Sequence, residues 1–296
     1  MQLRTSPIGS NGGLLIEGPP GTRLDDLDRA EVIALFKSTG LVLFRGFEPD
    51  DAAFHRFGGR FTDRFLVDPT PERVSQPVAA EVQTVTLGQG PLSFHYEYGL
   101  TPFRPDILWL YCSRPADTGG ETTACDGVLV WQRLREETRA LLAEKRVEYL
   151  LQVREFTWRG FFGIPEEGEE GQARLRGRLE GVPGLAYRIH PDNTLTLRYR
   201  ALALGHPRHS QADAFLANVL PGAYPSFKPQ FEDGTPLPWP LIEELFAVTA
   251  ECEVVVEWKA GDVAAIDNTR WMHGRRGFTG DRRVLSLTAY ADLAAK

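Results

Sequence analysis

The chain has 296 residues, a net charge of -7 at pH 7 and 42% hydrophobic residues. An acidic balance of this size argues against general nucleic-acid affinity, which needs a basic surface, and no apolar run approaches the roughly 20 residues that span a bilayer. Its cysteines, Cys112, Cys125 and Cys252, form neither a metal-binding spacing nor an even disulfide set. The first residues lack the apolar core of a signal peptide. We therefore expect a cytoplasmic protein without nucleic-acid or membrane partners.

The N-terminal quarter alternates short apolar runs, typical of buried strands, with segments whose apolar residues have helical spacing. The predicted strands are 14–17 and 41–45, and the predicted helices are 25–37 and 50–57. Gly40 is a typical helix stop before the second strand. His55 lies on the second helix, where we expect a surface or packing role and no ligand role.

A strand–motif–strand unit follows, in which residues 82–87 and 106–111 are predicted strands around Phe94-His95-Tyr96-Glu97. In an extended segment, positions i and i+2 share one face, so His95 and Glu97 point to the same side. An imidazole and a carboxylate on one face are candidate metal ligands. The same pattern also fits a salt-bridged surface strand, because H-x-E alone is common.

The middle of the chain contains a Gly-Gly-Glu-Thr turn at 119–122 and then a helix that begins at Asp126, whose side chain can cap it. Residues 147–153 are a predicted strand. The stretch 164–184 is rich in glycine and charge and has little to bury. A solvated loop is the favoured interpretation of this stretch, and a mobile lid is the alternative.

The C-terminal half is predicted to contain a hairpin, two helices and three more strands. These are the hairpin 187–190 and 195–200, the helices 210–220 and 238–248, and the strands 254–258, 261–268 and 284–290. Strands at both ends and in the middle, with helices set apart from them, predict a mostly β protein with flanking helices and a double-sheet jelly-roll core. We expect one domain over 1–296, with a lid-like insertion at about 154–185.

His273 can complete a metal site with the H-x-E pair, because two histidines and one carboxylate form the facial triad that leaves coordination positions open on iron(II). A jelly roll would place His95 and His273 on facing strands at one open mouth. Asp267 and Asn268 are expected to hold the turn before His273. Several other residues are expected to have no ligand role: Trp271 and Met272, which should pack, and His190, His206 and His209.

Four motifs occur in a fixed order: H-x-E at 95–97, G-G-x-T at 119–122, W-x-x-G-D-x-x-x-x-D-N at 258–268, and H-G-R-x-x-F-x-G-x-R at 273–282. In this combination the chain resembles the taurine-dioxygenase-like (TauD/TfdA) superfamily of iron(II)- and 2-oxoglutarate-dependent oxygenases. The resemblance runs from residue 40 to the C-terminus. The H-x-E form is similar to hydroxylases of natural-product pathways. The implied fold is a double-stranded β-helix, which is a cupin-like jelly roll.

The resemblance also implies roles for single residues. The implied iron ligands are His95, Glu97 and His273. Thr122 would bind one carboxylate of 2-oxoglutarate, and Arg282 would pair with the distal carboxylate. Arg283 is the alternative, because neighbours on a strand face opposite ways and only one can enter the barrel. Arg275 has two interpretations, a functional role or a structural pair with Asp262 or Asp267.

The implied cofactors are iron(II), 2-oxoglutarate and dioxygen, and the implied reaction is oxidation of a C–H bond of a small organic substrate. Hydroxylation is favoured, with desaturation, epoxidation and cyclisation as other outcomes. Amino-acid-derived and carrier-tethered substrates both stay open, as does homo-oligomerisation. Two other classes remain: a zinc hydrolase that uses the same His/Glu/His cluster, and a non-catalytic jelly-roll binding protein. Zinc hydrolysis does not explain Thr122 and the paired arginines.

Overall fold

The structure, a computed structural model, describes residues 4–71, 73–85, 88–222, 229–291 and 293. The helices are α1 Arg29–Thr39, α2 Asp51–Gly59, α3 Gly127–Arg133, α4 Glu136–Glu144, α5 Glu155–Phe162, α6 Gly168–Leu179 and α7 Trp239–Glu251. The strands are β1 Arg4–Gly9, β2 Gly12–Glu17, β3 Leu41–Arg45, β4 Arg64–Leu66, β5 Ser75–Gln76, β6 Ala79–Thr84, β7 Leu92–His95, β8 Ile107–Arg114, β9 Thr118–Gly119, β10 Thr122–Asp126, β11 Arg146–Val153, β12 Leu185–Ile189, β13 Leu195–Leu202, β14 Leu204–Gly205, β15 Ala214–Phe215, β16 Gln230–Phe231, β17 Glu253–Val256, β18 Asp262–Asp267, β19 Trp271–Arg275, β20 Phe278–Thr279 and β21 Arg283–Tyr290.

Two sheets packed face to face form the centre of the molecule. Within the described residues, the larger sheet has the order β1-β2-β3-β18-β8-β21-β6-β5, with β4 also paired to β21, and the smaller has the order β17-β10-β19-β7. An apolar cluster that includes Leu110, Ile266, Val256 and Trp271 lies between them. Nearly every strand pair is antiparallel, with β2 and β3 parallel. The predicted jelly-roll core with flanking helices is confirmed.

Helices cover the outer face of each sheet because apolar side chains line both sides of the central strands. On the larger sheet, Phe57 of α2 packs edge-on against Trp109 of β8, with ring centroids 5.4 Å apart. On the smaller sheet, α3 and α7 bury Trp131 and Leu245 against Met272. The smaller sheet is therefore buried on both faces, and polar side chains on it are held in a rigid frame.

The first helix begins later than the sequence predicts. Residues 24–26 form a short 3-10 turn, and α1 begins at Arg29, where the Asp28 side chain accepts a hydrogen bond from the Glu31 amide. Gly40 ends α1 in the left-handed region, at φ 73°. A side chain at Gly40 would also collide with the Trp271 indole, so glycine is required there for two reasons.

The stretch 164–184 is not a solvated loop, and the favoured sequence interpretation is wrong. It contains α6, which packs with α5 on a separate four-stranded sheet of order β12-β13-β11-β16. Leu175 and Leu179 of α6 are buried in one cluster with Trp158 of α5 and Leu195 of β13. The predicted hairpin is confirmed as β12 and β13, which are antiparallel.

The predicted helix over 210–220 is also wrong. This segment is extended, and its β15 strand pairs with β14 in an antiparallel bridge. Ala214 and Phe215 are fully buried, so the apolar run there belongs to a core strand. The predicted strand over 82–87 is confirmed only as far as Thr84, where β6 ends, and residues 86 and 87 lie outside the described part of the chain. No described helix has the length and apolar character needed to cross a membrane.

Candidate active site

The two candidate histidines lie on neighbouring strands of the smaller sheet. His95 at the end of β7 and His273 in β19 are direct partners in the antiparallel register. The two histidines meet as expected, and the strands that carry them are paired neighbours in one sheet. On the other side of β19, β10 pairs Ala124 with His273 and Thr122 with Arg275. Register alone brings these segments, which are distant in sequence, to one place on the sheet.

His95, Glu97 and His273 form a compact buried cluster. The Glu97 Oε2 atom lies 3.3 Å from His273 Nε2 and 3.8 Å from His95 Nε2. All candidate ligand atoms of the three residues lie within 4.8 Å of one another. The residues are 7–8% exposed. Two ring nitrogens and one carboxylate oxygen that converge at this spacing fit a divalent metal ion with further positions open.

Glu97 lies in a turn and not in the strand, because β7 ends at His95. Two buried asparagines hold this turn through backbone hydrogen bonds. The Asn218 side chain accepts from the Tyr96 amide at 2.7 Å and donates to the Tyr96 carbonyl at 2.9 Å. Asn268 does the same for Glu97, at 2.8 and 3.0 Å. The Asn268 side chain thus holds the turn that carries Glu97, whereas Asp267 bonds Thr269 in the turn before His273.

Arg73 supplies the charge that lets Glu97 be buried as a carboxylate. Its guanidinium Nη2 atom lies 2.7 Å from Glu97 Oε1. Burial by itself would raise the pKa of Glu97, but Arg73 and the two histidines hold that pKa well below its ordinary value. Since Arg73 takes Oε1, the second oxygen, Oε2, is the one that faces the histidines.

Both histidines turn their Nε2 atoms toward the Glu97 carboxylate. The His95 Nδ1 atom is 2.9 Å from the Ser93 carbonyl, which fixes the proton on Nδ1 and leaves the Nε2 lone pair toward Glu97. Burial and the neighbouring His95 lower the pKa of His273 to about 4, against the opposing effect of Glu97. His273 is therefore neutral near pH 7, as a metal ligand must be.

A narrow cavity leads from this cluster to Arg282 and is also lined by Thr122 and Arg275. The Arg282 Nε atom donates to the Gly120 carbonyl at 3.1 Å, and its guanidinium lies over the Phe278 ring at 5.5 Å. Among the described residues no carboxylate lies within 4.0 Å of the Arg282 guanidinium. Burial, followed by repulsion from Arg275, lowers the pKa of Arg282 to about 10. A partly buried cation of this kind is suited to an anionic ligand.

Arg283 lies outside this cavity. Its guanidinium forms a two-pronged ion pair with the Asp51 carboxylate, at 2.9 and 2.6 Å, near the start of α2. The predicted pairing of Arg275 with an aspartate is wrong, because Asp262 pairs with Arg45 and Asp267 with Thr269. Arg275 instead donates to the Gly88 and Gly90 carbonyls, both at 2.8 Å.

A second and larger cavity, of about 400 Å³, opens on the other side of the cluster. It shares Arg73, His95 and Glu97 with the narrow one. Residues of α5, β11 and β13 line this cavity together with His95 and Glu97 of the metal-ligand cluster. Of these three elements, only α5 lies within 154–185, where a lid-like insertion was predicted.

The residues expected to have no ligand role lie in the core or away from the metal-ligand cluster. Trp271 and Met272 are 1% and 0% exposed and pack in the core. His55, His190, His206 and His209 lie against Glu81, Thr196, Asp213 and Phe36, away from the cluster.

Sequence reasoning missed Arg73 and Asn218. Arg73 lies in an irregular segment with no motif around it, and Asn218 lies in a segment predicted as helix. Neither had a local signal, because each acts through a contact that only the folded chain creates.

Comparison with known proteins agrees with this geometry. The profile of the Taurine catabolism dioxygenase TauD, TfdA family matches residues 6–289. A clavaminate synthase-like protein of Arabidopsis thaliana is 25% identical over 285 residues, covering 86% of this chain and 82% of that protein. Dapdiamide synthesis protein DdaC of Enterobacter agglomerans is 23% identical over 270 residues, covering 84% of this chain and 82% of that protein.

Among solved structures, PvcB from Pseudomonas aeruginosa superposes with a TM-score of 0.64 at 17% identity, covering 97% of this chain and 91% of that one. PvcB is described as an Fe, alpha-ketoglutarate dependent oxygenase from an isonitrile synthetic pathway. At this identity the likeness shows the fold. The family match covers nearly the whole chain, and the chain therefore belongs to the Taurine catabolism dioxygenase TauD, TfdA family.

Proposed function

We propose that this chain oxidises a C–H bond of a small organic substrate, with iron(II) held by His95, Glu97 and His273. The observation that carries the proposal is the convergence of three ligand atoms within 4.8 Å at the point where a narrow cationic cavity meets a larger apolar one. Three protein ligands leave room on iron for a bidentate keto acid and dioxygen. A closed four-ligand site would not.

The narrow cavity supports a role in holding 2-oxoglutarate. Arg282 offers a partly buried guanidinium to the distal carboxylate, whose bidentate geometry it matches. Thr122 is 3% exposed, and its hydroxyl accepts a hydrogen bond from the Trp258 indole at 3.0 Å. With its oxygen already accepting, the hydroxyl of Thr122 can donate its proton to the second carboxylate. The ion pair of Arg283 with Asp51 supports Arg282 over Arg283 in this role.

When bound, iron(II) and 2-oxoglutarate supply the oxidising chemistry: dioxygen is consumed, 2-oxoglutarate loses carbon dioxide to give succinate, and the second oxygen atom goes to the substrate. The residues of the chain hold the reactants. Arg73 and Asn268 fix the Glu97 carboxylate and its backbone, and the apolar walls of the larger cavity exclude water.

Hydroxylation is the simplest outcome of this chemistry, with desaturation, epoxidation and cyclisation as alternatives. The names of two similar proteins support a role in natural-product biosynthesis, since one is a dapdiamide synthesis protein and one belongs to an isonitrile synthetic pathway. We also infer that the chain works as one domain, because β1 and β21, near its two ends, belong to the same sheet.

The test is the conversion of 2-oxoglutarate to succinate by the purified protein in air. We expect turnover that needs iron(II) and dioxygen, that zinc does not support, and that is lost in Glu97→Ala. Glu81→Ala is the matched control, because Glu81 is a partly exposed glutamate that pairs with His55. Succinate formation by Glu97→Ala at the wild-type rate, or the absence of any iron-dependent turnover, would contradict the proposal.

A further inference from the structure

The larger cavity beside the metal-ligand cluster has apolar walls on two sides. Phe161 and Phe162 of α5 form one wall, with ring centroids 5.1 Å apart, and Tyr98 lies 5.2 Å from Phe161. Leu151 of β11 and Leu197 of β13 are direct register partners and form the opposite wall. These apolar side chains line the same cavity as Glu97 and His95, and they would contact the body of a substrate held there.

Among the described residues, the charged side chains Asp68, Arg73 and Glu97 that line this cavity are paired with one another. Arg73 lies 2.7 Å from Glu97 and 3.8 Å from Asp68. The other oxygen of Asp68 accepts from the Thr70 amide at 2.8 Å. An incoming sulfonate or carboxylate would compete with two carboxylates for Arg73, and an incoming ammonium would compete with Arg73 for Asp68. An unpaired charge against apolar walls is strongly unfavourable.

We propose that the cavity takes a substrate with an uncharged, predominantly apolar and ring-bearing body, selected by Phe161, Leu151 and Leu197. This inference rests on the proposed function, which makes this the substrate cavity. A volume of about 400 Å³ suits an aromatic ring system with substituents, and the Phe161 and Phe162 rings, which meet edge-on, favour edge or stacked contact with such a ring. Taurine, a small zwitterionic aminosulfonate, does not match this cavity.

The test is competition against a neutral fluorescent probe, N-phenyl-1-naphthylamine, on the full chain with iron(II) and 2-oxoglutarate under anaerobic conditions. Three indoles of similar size serve as competitors: neutral tryptophol, anionic indole-3-acetate and cationic tryptamine. We expect tryptophol to displace the probe at a concentration at least about tenfold below that of either charged compound. Equal or tighter displacement by indole-3-acetate or tryptamine overturns the proposal.

A pair of variants tests whether tryptophol binds in this cavity. Leu151 faces the cavity, whereas the adjacent Leu150 points to the other face of β11 and is 54% exposed. Leu151→Asp should weaken tryptophol competition at least about tenfold, and Leu150→Asp should change it less than twofold. Equal losses in the two variants, or no loss in a folded Leu151→Asp, overturns the assignment. If Leu151→Asp does not fold, the wild-type comparison of the three indoles still decides.

The probe assay tests the cavity assignment and the succinate assay tests the proposed function, so either can be contradicted without the other. Charge selection among the indoles without iron-dependent turnover would support the cavity assignment and remove the proposed function. Turnover without charge selection would leave the proposed function standing and overturn this inference alone.

Discussion

At the level of single residues, the two oxygens of the Glu97 carboxylate have different partners. Arg73 occupies Oε1 at 2.7 Å, while Oε2 faces the two histidine nitrogens. The buried ion pair offsets the cost of taking the carboxylate out of water, and one oxygen remains for a metal ion. The backbone of the same residue is held by Asn268, so both ends of Glu97 are fixed before any metal binds.

Asn268→Ala tests this fixation. Asn268 is 0% exposed, and its removal leaves the Glu97 amide and the carbonyls of Glu97 and Pro105 without these partners. We expect the free energy of unfolding to fall by about 1–3 kcal/mol and iron(II) affinity to fall about 10- to 100-fold. Denaturant unfolding and anaerobic iron titration measure the two effects. Asn218→Ala is a partial control, since it releases Tyr96 and not Glu97. Unchanged iron affinity in Asn268→Ala would show that the turn needs no such support.

The arginine pair gives a second prediction at this scale. Arg282→Leu removes the partly buried cation of the narrow cavity, and we expect 2-oxoglutarate affinity to fall at least about tenfold, because a lost charge partner in a buried site costs about 2–5 kcal/mol and iron chelation by the keto acid remains. Arg283→Leu removes the ion pair with Asp51 and the hydrogen bonds to Ser113 and Gln76. None of these partners lines the narrow cavity, so this affinity should stay nearly unchanged. Titration of 2-oxoglutarate into both variants decides, and a larger loss in Arg283→Leu would place the distal carboxylate elsewhere.

At the level of elements, α6 shows why a mostly exposed helix was missed. Its buried positions are Gly171, Leu175 and Leu179, which form one line four residues apart along the helix. The first position of the line is a glycine, so the sequence shows only two large apolar residues among many charges. Glycine is required there because a side chain would collide with the Glu166 carbonyl. The helix is stabilised by packing on Trp158, not by its own propensity.

Trp158 is therefore the residue on which the packing of α6 against α5 and β13 depends. It is 1% exposed, and its indole donates to the Asn193 carbonyl at 2.9 Å. We expect Trp158→Ala to lower the free energy of unfolding by about 3–5 kcal/mol and to raise amide exchange in α6 above the wild-type rate. Phe156→Ala is the control on the same helix, because Phe156 is 51% exposed. Fast exchange throughout α6 in the wild-type protein would contradict the packed helix.

Across the whole molecule, the site residues that belong to sequence motifs could be predicted from the sequence. His95, Glu97, Thr122, His273 and Arg282 each belong to a short pattern with its own spacing, and the structure brings them to one place. The register that makes His95 and His273 neighbours on one sheet is a long-range pairing, which local periodicity does not encode. The same holds for the contacts of Arg73 and Asn218 and for the apolar wall that α5 builds.

The run 210–220 shows a second limit. Its apolar residues fit either a buried strand or a helix, since a short apolar run has no period of its own. The packing of β15 against α3 and the hydrogen bonds between Asn218 and Tyr96 stabilise the extended form. Tertiary contact settles such segments, and the sequence alone leaves them open.

The binding of iron(II) and 2-oxoglutarate at His95, Glu97 and His273 is tested most simply by the anaerobic absorption spectrum of the protein with both compounds added. We expect a visible iron-to-keto-acid charge-transfer band that needs both additions, is absent with zinc, is lost in Glu97→Ala and is retained in Glu81→Ala. A wild-type protein that develops no band at saturating iron(II) and 2-oxoglutarate, or a Glu97→Ala variant with the full band, would contradict it.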